Sequence, residues 1–443
     1  MASTSLTRTS SASATKGTLS MWVKRSKTNS SEPNLGSTQY LHHNVTSTSS
    51  NYGLIVFDAN DQIEMMMTTS GSHTIKRVTN RKFRDTSAWY HFVFVTDVNN
   101  STAQNRMRIY VNGVEETSFS TNDSPSGAAN RFYEASASND HVIGANSSNG
   151  VNFDGSMSHV YNIVDTVYTP SAFGSTDSTT GEWKINTSPS VTFGSQGYLI
   201  LKDGNTITDQ SGNSNNFTVA AGTLTKTEDC PDNVFAVYNQ LLNIPSSELS
   251  NGATTIFNAS SASTRPILSS LGASSGKFYA EFKTVTASSA SRVGICDMDK
   301  YVLTEFTGVN ALSYGYLAGG TVANNNSTTI SGLSSYTSGD IIGVYIDLDN
   351  NFLYFAKNGV LQNSGVPTSG ATGTGGQAIT ANNTYGFHVT VGSSSKKTTA
   401  NFGNGYFGTT AVSSAGTNAS GIGIFEYDVP TGYTALSTKG LNL

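Results

Sequence analysis

The chain has 443 residues, a formal net charge of −5 at pH 7 and a charged fraction of 12%, about half the usual share. Lys and Arg form no run longer than the VKR and IKR patches, so we expect no nucleic-acid partner, because phosphate binding needs a positive footprint. Apolar runs stay below ten residues, which excludes membrane insertion. The opening MASTSLTRTSSASATKG lacks the apolar core of a Sec signal peptide. The length favours two or three domains.

The predicted elements of the first 221 residues are strands separated by Gly, Asn, Asp and Ser. Apolar residues alternate in GTLSMWVKRS, whereas AWYHFVFVTD is apolar on both faces, with Phe92 and Phe94 on one face and valines on the other. The second pattern is typical of a central strand that is covered on both sides. RMRIYVNGVEET then ends a strand on Asn112-Gly113, a pair that can take the positive φ angles of a type I′ turn.

Residues 222–252 differ from both flanks, because alternation breaks in EDCPDNVFAVYNQLLNIPSSELSNG. We interpret this segment as a packed connection between domains, since apolar residues such as Phe235 and Tyr238 need cover. Alternation resumes in GKFYAEFKTV and in GDIIGVYIDLDNNFLYFAKNGVLQ, which contains a second Asn-Gly turn at Asn358-Gly359. The Gly-rich segment that follows Asn363 is predicted to be a loop that is mobile or faces a ligand.

These patterns predict an all-β fold of two antiparallel β-sandwich (jelly-roll) domains. The predicted extents are residues 1–221 for the first sandwich, 222–252 for a short packed connection, and 253–443 for the second sandwich with its C-terminal tail. The Asn-Gly-Val hairpin occurs in both because Asn-Gly is a tight link whose twist suits antiparallel strands. The residues around the two hairpins do not align, so the chain shows no sequence duplication.

The acidic residues do not form a pattern that is typical of glycoside hydrolysis, which needs two acids about 5–10 Å apart across a cleft. Glu115 and Glu116 are adjacent, so in a strand they point to opposite faces. Asp58, Asp61 and Glu64 are spaced too irregularly to share one strand face. We interpret these five as surface or turn residues and predict no catalytic residue.

Metal ligands are the next candidates. Two aspartate pairs share a strand face, Asp297 with Asp299 and Asp347 with Asp349. Each pair supplies too few oxygens to hold Ca²⁺ by itself, so we predict no metal residue, and a loop calcium site stays open. His42-His43 is the one close histidine pair, and adjacent side chains diverge in a strand, which disfavours a shared metal.

The remaining candidates also favour structural roles. Cys230 and Cys296 are isolated, which favours unpaired structural cysteines in a chain made in a reducing cytoplasm. Tyr314, Tyr316 and Trp183 have rings suited to stacking on sugars, and core packing is the interpretation that we favour for each. Neither a Gly-x-Ser-x-Gly elbow nor a phosphate-binding loop occurs. We therefore expect no cofactor and no enzymatic activity.

Several segments resemble known families. AWYHFVFVTD, RIYVNG and FDGSMSHVYNIVDTVYTPSAFG resemble the core of a laminin-G or concanavalin-A-like jelly roll, over about residues 1–220. GKFYAEF, SYGY, GDIIGVYIDLDNNFLYFAKNG and ANFGNGYF resemble a SPRY domain in the order of that family, over about residues 253–410.

The combination is also similar to a kind of tailed-phage protein that is frequent in marine phages. The segments that carry this resemblance are LSMWVKRS, DTSAWYHFVFVTD, TPSAFG followed by GEWKIN, DQSGNSNNFT, DCPDNVFAVYNQL and PTGYTALSTKGLNL. The resemblance implies a virion structural protein, a tail fibre or adhesin that binds a host-surface glycan or protein. Phage tail fibres usually carry an N-terminal anchor, whereas the first sandwich is expected to begin almost at Met1, which supports a capsid decoration or connector protein as the alternative.

The same resemblance implies a setting and partners. We expect assembly in the host cytoplasm, exposure on the virion surface, contacts with other virion proteins and a homo-oligomer, with a trimer for a fibre. The ligand and the position on the particle are not determined by the sequence.

Overall fold

The computed structural model describes residues 4–28, 38–45, 50–123, 130–133, 140–202, 206–242, 247–259 and 263–443. The chain divides into two compact units, Met1–Lys226 and Thr227–Leu443. Both are built from antiparallel sheets, so the prediction of an all-β fold is confirmed. Within the described part of the chain, none of the helices combines the length and the apolar character that crossing a membrane requires.

The first unit contains short strands joined by turns and by the 3-10 helices Ala103–Arg106 and Pro170–Ala172. Its strands are β1 (Ser5–Thr9), β2 (Lys16–Arg25), β3 (Gln39–Val45), β4 (Tyr52–Phe57), β5 (Gln62–Thr69), β6 (Ser72–Lys82), β7 (Tyr90–Asp97), β8 (Met107–Val111), β9 (Val114–Glu115), β10 (Phe119–Asn122), β11 (Asp140–Ile143), β12 (Gly155–Val164), β13 (Gly174–Thr176), β14 (Trp183–Ile185), β15 (Tyr198–Ile200) and β16 (Thr218–Ala221).

Two sheets enclose the core of this unit. The larger has eight strands in the order β10-β6-β5-β4-β3-β11-β1-β16, and the smaller has six in the order β15-β12-β2-β7-β8-β9. Strand β7 is central in the smaller sheet, as its pattern predicts: Phe92 and Phe94 join the core, whereas Val93 and Val95 lie under a second apolar layer that includes Phe173. The β13–β14 hairpin lies on this outer side, where Trp183 stacks on His91 of β7.

The second unit has the same character, with the 3-10 helices Gln240–Leu242, Met298–Lys300, Gly370–Thr372 and Gly440–Asn442. Its strands are β17 (Ser247–Ser250), β18 (Thr255–Asn258), β19 (Arg265–Leu268), β20 (Lys277–Thr286), β21 (Arg292–Asp297), β22 (Ser313–Leu317), β23 (Thr321–Asn324), β24 (Ser327–Ile330), β25 (Ile341–Asp347), β26 (Phe352–Lys357), β27 (Val360–Leu361), β28 (Gln377–Ala378), β29 (Tyr385–Val391), β30 (Lys396–Asn401), β31 (Tyr406–Phe407), β32 (Thr410–Ala411) and β33 (Thr434–Ala435).

Its larger sheet follows the order β17-β18-β30-β20-β25-β26-β27, with β28 beside β26 and β33 parallel to β20, and its smaller sheet follows β19-β29-β21-β22-β23-β24. The main core lies between them. The outer face of the larger sheet carries a second cluster, in which Phe425 packs on Tyr279 and Tyr433 packs on Tyr345. The C-terminal part of the chain therefore covers this face.

The segment predicted as a connection contributes to the second unit. Phe235 and Tyr238 are buried there, and residues from Thr227 onward group with that unit. The predicted limits at residues 222 and 252 stay a prediction, and residues 243–246 lie outside the described residues.

The two Asn-Gly hairpins have the same geometry. Asn112 and Gly113 have φ angles of 48° and 84°, and Asn358 and Gly359 have 48° and 78°, as a type I′ turn requires. In each turn the asparagine side chain accepts a hydrogen bond of 2.8 Å from a backbone N–H at the start of the strand that precedes the hairpin, His91 of β7 for Asn112 and Ile341 of β25 for Asn358. The predicted turns are therefore present in both units.

The Gly-rich loop after Asn363 packs on the edge of the larger sheet. Gly373 lies against the ring of Phe352 and Gly376 against the ring of Tyr354, closely enough that a side chain at either glycine would overlap the ring. The Tyr354 hydroxyl lies 3.3 Å from the Ser369 hydroxyl of the same loop. The glycines thus allow close approach to two aromatic rings.

Candidate functional site: the outer face of the eight-stranded sheet

Strands β3, β4 and β5 carry apolar side chains on both faces. Leu54 and Val56 face away from the core of the first unit and pack with Met66 in a separate cluster, against which Tyr40 and Tyr52 lie half-buried. Among the described residues this cluster consists of strand residues only. We call this surface the tyrosine face and define it by Tyr40, His43, Tyr52, Leu54, Val56 and Met66, with Glu64 and Lys76 at its edge.

Strand register brings these side chains together. In the β3–β4 pair, Tyr40 is opposite Val56 and His43 is opposite Leu54, and in the β4–β5 pair Leu54 is opposite Met66. Directly opposite residues of antiparallel strands share a face and pack against each other. The face therefore follows from three adjacent strands whose outward positions are aromatic or apolar.

His43 lies between the two tyrosines. Its ring centroid is 5.2 Å from that of Tyr40 and 5.6 Å from that of Tyr52, and both contacts are edge-on. The Nδ1 atom accepts a hydrogen bond of 3.1 Å from the backbone N–H of Ser147, so the ring proton is on Nε2. Burial lowers the pKa of His43 to about 4, which keeps the ring neutral at pH 7.

The edge of the face carries one ion pair. Glu64 Oε2 and Lys76 Nζ are 3.0 Å apart. Burial raises the pKa of Tyr40, and the nearby Tyr52 and Glu64 raise it further, because both disfavour a phenolate there. The described part of the face thus presents half-exposed rings, hydroxyl groups and two charges that compensate each other.

The acidic residues considered as catalytic candidates have structural roles. Glu64 and Glu116 each form an ion pair with a basic residue of β6, and Glu115 is exposed at the sheet edge. Asp58 accepts two backbone hydrogen bonds in the turn before β5. These observations agree with the interpretation as surface or turn residues.

Asp61 differs from that interpretation in its burial. It lies in the turn before β5, but its side chain is fully buried and contacts Arg25 at 3.0 Å and Arg84 at 3.2 Å. The Arg25 guanidinium also stacks over Phe57, with 4.2 Å between its carbon and the ring centroid. Asp61 therefore compensates a buried cation, an arrangement that spacing along the chain does not indicate.

The aspartate pairs considered for calcium also have other partners. Asp297 accepts hydrogen bonds from the backbone of Asp299 and of the segment before β29. Asp347 pairs with Lys277 at 2.8 Å, and Asp349 accepts a backbone hydrogen bond of 2.7 Å from the turn before β20. Among the described residues, no three His, Cys, Asp or Glu side chains are grouped so that they could hold a metal ion.

His42 and His43 diverge, as predicted. His42 points into the core, where its Nε2 lies 3.5 Å from Nδ1 of His141, whereas His43 lies on the tyrosine face. Cys296 is buried, and burial raises the pKa of its thiol to about 11. Cys230 is partly buried, and neither cysteine forms a disulfide.

The three aromatic candidates pack within the units. Tyr314 and Tyr316 are buried in the core of the second unit. Trp183 donates a hydrogen bond of 3.0 Å from Nε1 to Nδ1 of His91, on which its ring stacks. Core packing, the interpretation that we favoured, agrees with these positions.

The tyrosine face was missed at the level of sequence, although a signal for it exists. Strand β4 contains YGLIVF, in which Leu54 and Val56 alternate with core residues and are themselves apolar. Such a strand is typically covered on both sides. Which tyrosines lie beside it depends on the register with β3, which no pattern in the sequence specifies.

Comparison with known proteins defines both units as β-sandwich modules of known kinds. Residues 2–172 match the Laminin_G_3 family of the concanavalin A-like lectin/glucanases superfamily, and residues 277–404 match the SPRY domain family. The chain thus carries a concanavalin A-like domain followed by a SPRY domain, as its segments predict. Modules of these kinds typically serve in binding or adhesion rather than catalysis. No curated protein matches the chain.

Solved structures similar to this chain include SPRY domains. The SPRY domain of human HERC1 is 19% identical, with 37% of this chain and 96% of that one covered and a TM-score of 0.29. A human SPRY domain is 18% identical, with coverages of 35% and 94% and a TM-score of 0.27. The TRIM65 PSpry domain is 12% identical, with coverages of 38% and 91% and a TM-score of 0.29.

Proposed function

We propose that this chain is a non-enzymatic structural protein exposed on a phage particle, where it acts as a tail-fibre-type adhesin that binds a host-surface glycan or protein. The succession of a concanavalin A-like module and a SPRY module supports a binding role. The phage setting is supported by segments such as LSMWVKRS, DTSAWYHFVFVTD and PTGYTALSTKGLNL, which resemble phage virion proteins.

The non-enzymatic part of the proposal depends on one observation. Of the acids considered as catalytic candidates in the first unit, three form ion pairs and one accepts backbone hydrogen bonds in a turn. The fifth lies alone at a sheet edge. A hydrolase of this superfamily needs two acids that face one cleft and are free to exchange protons. Incubation with host envelope polysaccharides should therefore release no reducing ends.

Weak binding sites become effective when many copies act together. Linking copies raises the effective affinity by roughly 10²–10⁴ without any new contact. We therefore propose a homo-oligomer, with a trimer for a fibre, that contacts other virion proteins. Chemical cross-linking of the purified protein should give discrete oligomers, and a protein that stays monomeric at all concentrations contradicts this part of the proposal.

The experiment that tests the whole proposal locates the protein on purified particles. Gold-labelled antibodies against it should bind the tail, and particles that lack it should adsorb poorly to host cells. Label on the capsid together with normal adsorption would instead identify a decoration or connector protein, which binds other virion proteins only. Particles without any label would contradict both alternatives.

A further inference from the structure

We infer that the tyrosine face of the first unit is a binding site for an uncharged pyranose ring of a glycan. This inference rests on the proposed binding role and deepens it, because it assigns one surface and one class of ligand. The surface is defined by residues of β3, β4 and β5, which fix its position within a sheet rather than on a loop.

The tyrosine face combines aromatic rings with an apolar floor. Tyr40 and Tyr52 are half-exposed on either side of His43, above a floor of Leu54 and Met66. Small-molecule sites combine an apolar and aromatic lining with a few polar groups that fix orientation. A pyranose ring suits such a lining, since it presents a flat array of C–H groups to aromatic faces and hydroxyl groups at its edge.

The charges on the tyrosine face favour a neutral ligand. Glu64 and Lys76 compensate each other at 3.0 Å, and the depressed pKa of His43 leaves that ring neutral at pH 7. The described part of the face therefore provides no uncompensated cation for a carboxylate or sulfate. An acidic sugar would bring a third charge beside an ion pair that is already balanced, whereas a neutral sugar brings none, so the face favours the neutral sugar.

A polar rim borders the tyrosine face. The loop 146–150 follows β11 and donates from the Ser147 backbone to His43, so it borders the face. Ser147 and Ser148 are exposed there. Their hydroxyl groups, the hydroxyl groups of the tyrosines and the Glu64 carboxylate provide donors and acceptors at the edge of an apolar floor. Sugar hydroxyl groups require this kind of rim.

An extended peptide fits this surface less well. Strands β4 and β5 each pair with a neighbour on both sides, so their backbone groups are already bonded. Peptides that add to a sheet bind to unpaired edge strands through backbone hydrogen bonds. Recognition at the tyrosine face must therefore depend on side chains, which suits a ring rather than a strand.

The test uses the full-length protein with ¹³C-labelled methionine methyl groups. Met66 lies in the floor of the face, whereas Met65 and Met67 of the same strand point into the core and serve as internal controls. The probes are the methyl glycosides of glucose, galactose, mannose and N-acetylglucosamine, each up to about 100 mM, which saturates even a millimolar site. At least one of them should shift the Met66 signal, with much smaller shifts at Met65 and Met67.

Variants then test the role of the rings. Tyr40→Ala and Tyr52→Ala should each weaken binding by about tenfold, whereas Tyr52→Phe, which keeps the ring, should stay within about threefold. Tyr406→Ala, at a half-exposed tyrosine of the second unit, should leave the affinity unchanged. Tryptophan fluorescence of each variant verifies that the first unit is folded.

Several results would overturn the inference. They are a Met66 signal that none of the four sugars shifts, an unchanged affinity in both alanine variants, and galacturonate binding as tightly as galactose. A Met66 signal that shifts with protein concentration alone would assign the face to a second copy of the chain. None of these results bears on whether particles that lack the protein adsorb poorly to host cells. The proposed function and this inference can therefore fail independently.

Discussion

The two units share one architecture but bury different titratable groups. The first buries five histidines, and for four of them burial lowers the pKa: to about 3 for His42 and His91, to about 4 for His43 and well below the ordinary value for His141. The second buries one such histidine, His388, together with a carboxyl group whose pKa burial raises to about 7. Similar folds can thus differ in how strongly their stability depends on pH.

The carboxyl group belongs to Glu281 in the centre of the larger sheet. It accepts hydrogen bonds from the backbone N–H groups of Glu426 and Tyr427, both 2.9 Å, and from Tyr279 and Asn401, both 3.0 Å. One buried carboxyl group therefore fastens the C-terminal part of the chain to the sheet. The first unit has a more local counterpart in Asp209, which is buried and accepts hydrogen bonds from the backbone N–H groups of Leu199, Ser211 and Asn215. Asp61 is instead paired with arginines.

The sequence provides a separate probe for each unit. All three tryptophans, Trp22, Trp89 and Trp183, belong to the first unit, and both cysteines belong to the second. In a Cys230→Ser background, the buried Cys296 is the only thiol, and its labelling reports unfolding of the second unit. The unfolding of each unit can therefore be followed separately in one chain. Separate probes are needed because a two-domain protein does not have to unfold in a single two-state transition.

The largest expected effect is a selective loss of stability of the first unit in acid. A histidine whose pKa is lower in the folded state than in the unfolded state makes its full contribution to the unfolding free energy above the unfolded pKa of 6.5. This contribution is lost as the pH falls from 6.5 toward the folded pKa. At pH 5 the loss is about 2 kcal/mol for a histidine with a folded pKa near 3, and about 8 kcal/mol for four such histidines that titrate independently. The urea midpoint of tryptophan fluorescence should fall steeply between pH 7 and pH 5.

The second unit should change much less over the same range. Glu281 has a higher pKa in the folded state, so its contribution grows as the pH falls from 7 toward 4.5 and offsets the loss from His388. His73 is exposed, so His73→Ala should leave the acid response of the first unit unchanged. Equal shifts of the tryptophan and thiol midpoints would contradict the comparison.

Next in size is the loss of the buried carboxyl group. Glu281→Ala leaves two backbone N–H groups, an amide and a hydroxyl group without their acceptor, and should lower the unfolding free energy of the second unit by about 3 kcal/mol or more. Labelling of Cys296 should begin at a lower urea concentration, with the tryptophan midpoint unchanged. Asp232→Ala removes an exposed ion pair with Lys439. This change should alter the unfolding free energy of the second unit, followed by thiol labelling, by less than about 0.5 kcal/mol. If Cys296 labelling has the same urea midpoint in Glu281→Ala as in Asp232→Ala, the Glu281 carboxyl group does not fasten the C-terminal part of the chain to the sheet.

A smaller effect should distinguish the two hairpin turns. In Gly113→Ala the new Cβ would lie 2.5 Å from the ring of Trp183, and in Gly359→Ala 2.6 Å from that of Tyr427. Each change should cost about 1–3 kcal/mol in its own unit, since positive φ adds strain to the overlap. The cost should be greater at Gly113, because Trp183 is held by His91, whereas Tyr427 is half-exposed.

The control for these turns is Gly181, which also has positive φ but no atom within 4 Å of a built Cβ. Gly181→Ala should therefore show the strain alone, about 1 kcal/mol. Urea midpoints by tryptophan fluorescence and thiol labelling provide the comparison. A loss at Gly113 no greater than that at Gly181 would mean that Trp183 moves aside freely.

The smallest effect is expected just after the turns. Val114 and Val360 begin edge strands and are 68% and 67% exposed. Val114→Thr and Val360→Thr should each change the unfolding free energy by less than about 0.5 kcal/mol, because neither removes a buried contact. A larger loss that depends on protein concentration would show that an edge is covered by a second copy.

Local patterns in the sequence determined the strands and the turns. Alternation predicted β7 as a strand covered on both sides, and Asn112-Gly113 and Asn358-Gly359 predicted two tight hairpins. The same local logic indicated that His42 and His43 diverge. These inferences succeed because side-chain direction in a strand alternates with each residue and turn geometry depends on adjacent residues.

Tertiary structure alone decided which distant groups meet. Glu281 accepts hydrogen bonds from Glu426 and Tyr427, which lie 145 and 146 positions away, and Asp61, next to β5 of one sheet, pairs with Arg25 of β2 in the other sheet. The tyrosine face likewise exists only because register brings Tyr40 and Tyr52 onto one surface. Strand order, register and the path of the C-terminal segment depend on packing of the whole domain, so residue spacing carries no record of these contacts.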